Sequence, residues 1–82
     1  MKYLEAAKFG NDYLINKNIQ NYKLDVEILA SETINKSREH FLLNEKKKIT
    51  KKEFNKFNKL LKKRNNRQPL AQIINKKEFW KK

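Results

Sequence analysis

TKKEFNKFNKLLKKRN, residues 50–65, is the stretch on which the fold turns. Thr50 and Glu53 stand three apart ahead of an apolar run, the pattern of a capping box, in which hydroxyl and carboxylate satisfy each other's orphan amides. Phe54, Phe57, Leu60, Leu61 and the stem of Arg64 then recur at helical spacing and form one apolar face. Lys52, Lys56, Lys59 and Lys63 recur with the same period on the opposite face. Asn65-Asn66 breaks the helix.

Working outward, the rest of the chain also reads as helix. Upstream, Leu4, Ala7, Tyr13 and Leu14 mark one face of a first helix over about 2–16, which Gly10 weakens by about 1 kcal/mol relative to alanine. Asn21 is placed to N-cap a second helix, with Leu24, Ile28 and Ile34 on an apolar stripe widened by Leu29. Asn35 ends it, because asparagine tolerates the left-handed conformation of a C′ position. Ser37 caps a short third helix carrying Phe41 and Leu42. Downstream, Pro69 suits a first helical turn, and Leu70 to Ile74 make a brief fifth helix that stops at Asn75. Phe79 and Trp80 lie beyond that stop and read as extended chain. The expected architecture is all-α: a bundle of about five short helices over residues 1–75, with an extended C-terminal tail over 76–82.

At 82 residues the chain supports one domain with a thin core, since folding at this size buries only roughly 60–65% of the unfolded surface. No cysteine is present, so neither a disulfide framework nor a thiolate metal site forms. No apolar run is longer than the three residues of Ile28-Leu29-Ala30, too short for a membrane span, and the start lacks the apolar stretch of a signal peptide. These features fit a cytoplasmic protein. The net charge of +12 has two readings. A basic excess points to nucleic acid, because phosphate contacts dominate such binding. The abundance of Lys, Asn and Ile beside one Gly and one Pro instead reflects AT-rich codons, which enrich solvated surfaces in lysine whatever the function. On that reading nucleic-acid binding is weak and nonspecific.

No constellation carries chemistry. His40 and Glu39 are neighbours that diverge on a helix and read as a surface pair, and Asp25 and Glu27 read as residues near a helix start, favoured there by the dipole. One glycine cannot build a phosphate loop. No nucleophile–base pair, metal cluster or cofactor fingerprint assembles, so catalytic, cofactor-binding and metal-binding residues are all expected to be absent.

A resemblance lies in Leu24-Asp25-Val26-Glu27-Ile28-Leu29, Asn35-Lys36-Ser37-Arg38, Leu60-Leu61 with Arg64, Gln68-Pro69-Leu70-Ala71-Gln72-Ile73-Ile74-Asn75 and Glu78-Phe79-Trp80. In this order and spacing they resemble the N-terminal domain of the peptide chain release factor glutamine methyltransferases, the PrmC/HemK family. The resemblance spans roughly residues 22–80. Asn35 and Asn75 stand where the family usually has glycine, and both tolerate the left-handed backbone. Arg67 stands at another such position, and its sequence offers no comparable explanation.

The resemblance implies a front domain of a larger enzyme. The whole protein would transfer a methyl group from S-adenosylmethionine to the glutamine amide of a release factor's Gly-Gly-Gln loop. The family's cofactor-binding glycine loop and Asn-Pro-Pro-Tyr motif belong to a C-terminal catalytic domain and do not occur in this sequence. The helical domain would dock and orient the release factor, with Lys52, Lys56, Lys59 and Lys63 as candidate docking residues. Phe79 and Trp80 would pack against the protein's own catalytic domain at the start of a linker. The family in some AT-rich bacteria looks fused to a tRNA methyltransferase domain, which this sequence leaves open. The alternatives are a small basic helical nucleic-acid-binding or ribosome-associated module, and an interaction module unrelated to methyl transfer. The first would need Arg, Asn or Gln grouped on a recognition helix, and the three arginines here are not so grouped.

Overall fold

A computed structural model describes residues 1–74. It contains α1 (Tyr3–Leu14), a 3-10 turn (Ile15–Lys17), α2 (Tyr22–Ile34), α3 (Arg38–Leu43), α4 (Lys51–Asn65) and α5 (Leu70–Ile74). Among the described residues the only extended pairing is an isolated antiparallel bridge between Lys2 and Lys48. The all-α bundle of five helices is as expected. The tail, with Asn75, Phe79 and Trp80, lies outside the described residues.

The contacts define two poles. At the first, Tyr3 and Leu4 at the start of α1 donate their N–H groups to Lys47 O and Glu45 O, at 2.8 and 3.1 Å, and Ile49 N–H donates to Met1 O at 2.7 Å. The loop ahead of α4 thereby satisfies orphan donors at the start of α1. At the second pole, Arg67, just past α4, donates through Nη2 to Lys17 O, just past α1, at 2.8 Å. Helices α1 and α4 therefore run the same way. The early Asp25 of α2 meets the late Arg64 of α4, so α2 runs against them.

The core lies where α1, α2 and α4 converge, around the fully buried Leu14, Val26, Leu29, Phe57 and Leu61. Each such side chain contributes about 1.5–3 kcal/mol by leaving water. Gly10 is buried in the middle of this contact rather than being a simple weak point of α1. A Cβ there would meet Val26 Cγ1 at 2.8 Å and Phe57 Cζ at 3.0 Å, so the missing side chain sets how closely α1 approaches α2 and α4. Phe9 packs its ring edgewise on Phe54, with centroids 5.1 Å apart, and leaves Phe54 half-buried.

The α4 capping box forms as its sequence dictates: Glu53 N–H donates to Thr50 Oγ1 and Thr50 N–H to Glu53 Oε1, each at 3.0 Å. Ser37 Oγ accepts from His40 N–H at 3.0 Å, capping α3. Asn35 ends α2 in the left-handed conformation, with φ 59°. Other details differ from the sequence reading. The first helix tightens into a 3-10 turn after Leu14, and α4 includes Asn65, ending at Asn66. Asn21 precedes α2 but is itself left-handed, at φ 58°, and its side chain makes no capping bond. Leu4, Leu24 and Leu42 face solvent. The period alone put them on the apolar stripes, but the stripes that dock are centred on Ala6, Val26 and Phe41.

Candidate docking surface

Helix α4 places its lysines by elementary geometry. Phe57, Leu60 and Leu61 are buried against the bundle, which turns Lys52, Lys56, Lys59 and Lys63 outward, and all four are exposed. The twelve residues from Lys52 to Lys63 carry this stripe along about 16 Å of surface. The structure thus brings the four expected residues onto one solvent-facing line, running from the first pole to the second.

At the second pole lies a shallow hollow of about 510 Å³, lined by the 18–21 turn with Leu24, Asp25, Arg64 and Arg67. The arginines in it are held by the fold. Arg64 Nε donates to Asp25 Oδ2 at 2.8 Å, and Nη1 donates to Gln68 O at 3.1 Å, tying α2, α4 and the turn before α5 together. Asp25 is thus a buried ion-pair partner as well as a residue of the first turn, a role the sequence reading missed. The signal was present: Arg64 continues the apolar face of Phe57, Leu60 and Leu61, where a guanidinium turned toward the bundle calls for an acceptor. Glu27 points elsewhere, accepting from Arg38 Nε at 3.2 Å. Arg67 has φ 65°, a left-handed residue whose guanidinium is anchored on Lys17 O.

At the first pole α3 makes two ring contacts with α1. Tyr3 stacks on Phe41 with centroids 5.2 Å apart and meets His40 edge-on at 6.4 Å. His40 is therefore half-buried against α1, not one half of a surface pair with Glu39. Burial pushes the Tyr3 phenol above its ordinary 10.0, and the Glu53 carboxylate adds to the shift. The Glu5 carboxyl is lowered, first by the Lys2 N–H that donates to it at 2.8 Å and then by the nearby positive charges. Among the described residues no group of three His, Asp or Glu side chains converges as metal ligands would. No described helix is long and apolar enough to cross a membrane.

What this arrangement offers is surface: an outward basic stripe on a rigid bundle with arginines committed to internal ties. Comparison with known proteins agrees on where such a bundle occurs. Residues 5–74 match the family described as the PrmC N-terminal domain. A bifunctional methyltransferase of Rickettsia bellii is 36% identical over 79 residues, covering 96% of this chain and 14% of the relative. A release factor glutamine methyltransferase of Buchnera aphidicola is 33% identical over 61 residues, 74% of this chain and 22% of the relative. The chain thus spans less than a quarter of the length of either relative. No solved structure matches it significantly. With the match running from the first turn of α1 to the end of α5, the chain belongs to the PrmC N-terminal domain family.

Proposed function

We propose that this domain docks and orients a peptide chain release factor for a methyltransferase whose chemistry resides in a part of the protein outside these 82 residues. The observation that carries the reading is the family match over the whole described bundle, together with a relative named as a release factor glutamine methyltransferase. The methyl acceptor would be the glutamine of the Gly-Gly-Gln loop, and S-adenosylmethionine the donor. The residues described here do not fit that cofactor. The chain's single glycine is buried between Val26 and Phe57 and cannot form a loop around a ligand.

Docking through a separate domain suits the task. An enzyme that modifies one glutamine of a large protein gains selectivity from contacts remote from the reacting atom. The exposed Lys52, Lys56, Lys59 and Lys63 would steer an acidic surface toward the bundle and set its register along α4. The fragment alone would then bind without catalysing.

The test is steady-state methylation of a purified release factor by the full-length protein carrying Lys56→Glu and Lys59→Glu. KM for the release factor should rise roughly tenfold, kcat should hold, and the difference should shrink as salt is raised, because exposed charges are screened. A loss of kcat at unchanged KM would contradict a docking role.

A further inference from the structure

The first pole carries an apolar corner that the fold leaves uncovered. Leu43, the last residue of α3, is 81% exposed, and Met1, Leu4 and Leu42 are exposed as well. The backbone draws these residues together. Leu4 N–H bonds to Glu45 O, Ile49 N–H to Met1 O, and Tyr3 between them stacks on Phe41. Ile15 and Leu24, which are also exposed, belong to the opposite pole. One exposed leucine carries no information, but a cluster rimmed by charge marks a contact surface. Leu43 also lines a shallow hollow of about 410 Å³ with Asn44, Glu45, Lys46 and Lys47.

Its charge identifies what would cover it. The rim is basic: Lys46, Lys47 and Lys48 follow Leu43 in sequence, and Lys2 lies across the bridge from Lys48. A second copy of this chain would bring the same lysines and be repelled, whereas an acidic segment would be attracted.

We propose that this corner is the apolar anchor of partner docking: an acidic segment of the partner protein seats an apolar side chain against Leu43 while Lys46 and Lys47 pair with its carboxylates. The inference rests on the reading of the partner as a release factor, and it adds where on the domain the contact is centred. The basic stripe of α4 steers the encounter, and the leucine corner holds the complex.

The experiment compares Leu43→Ser, and Lys46→Glu with Lys47→Glu, in the full-length protein, with methylation of a purified release factor as the readout. Leu43→Ser should raise KM roughly tenfold at every salt concentration with kcat unchanged, as for a buried anchor residue. The charge reversals should raise KM at low salt and lose their effect near about 0.5 M. Thermal unfolding of the 82-residue chain should not move, because Leu43 is in water before docking. Unchanged KM in both variants, with Lys56→Glu and Lys59→Glu still effective, would overturn the corner and leave docking on α4 standing. Failure of the wild-type protein to methylate a release factor would overturn both. If the chain binds phosphatidylglycerol vesicles through Leu43 while KM stays unchanged, the corner is a lipid contact and the inference is wrong.

Discussion

Gly10 shows how a single position can reverse a local preference. Helix propensity favours alanine over glycine there by about 1 kcal/mol. A methyl group at this position would stand 2.8 Å from Val26 and 3.0 Å from Phe57, and overpacking of that kind costs about 1–3 kcal/mol. Gly10→Ala should therefore destabilise the domain by about 1 kcal/mol despite improving the helix, read as a lower urea midpoint at constant slope. A raised midpoint would show that α1 slides to make room. Nothing in the one-dimensional sequence reveals that contact, because Val26 and Phe57 reach Gly10 only through the fold. Asn35 was legible for the opposite reason: its left-handed stop is a property of the residue and its neighbours. Arg67 was not, since its φ of 65° sets arginine where glycine would be strain-free. The bond from its guanidinium to Lys17 O compensates.

Among the elements, α4 was legible almost entirely and α2 only in part. The caps of α4 and its two faces follow from a strict period, with charge on one side and aromatic or branched groups on the other. Helix α2 has apolar groups nearly all round, so its sequence does not say which of Leu24, Val26, Ile28 and Leu29 docks. The surrounding helices decide, turning Val26 and Leu29 inward and Leu24 out. The four outward lysines of α4 were legible as a stripe, and the leucine corner was not, because it needs α1 and the 44–49 loop to meet. What locks α2 to α4 is the Arg64–Asp25 pair. Arg64→Met keeps the stem but strands a carboxylate that is almost fully buried. Removing one partner of a fully buried pair costs about 3–5 kcal/mol; with the Arg64 side chain partly wetted, about 1–3 kcal/mol is expected. Adding Asp25→Asn should recover part of that loss in a double-mutant cycle measured by urea unfolding. Strict additivity of the two changes would mean the pair contributes nothing.

For the whole molecule, a net charge of +12 spread over an exposed surface attracts any polyanion. Binding to random-sequence duplex DNA should be detectable at about 50 mM salt and largely gone by about 200 mM, with no preference among sequences, as pure phosphate contact requires. Fluorescence anisotropy over a salt series checks this, and tight binding to one sequence at the higher salt would promote the nucleic-acid reading. The pinning of the first residues to the loop before α4 has a practical side. Met1 O accepts from Ile49 and Lys2 pairs with Lys48, so a segment fused ahead of Met1 emerges beside the 44–49 loop that follows Leu43. An affinity tag fused there would hang over the leucine corner like a flap, masking the surface whose contacts it was meant to help capture.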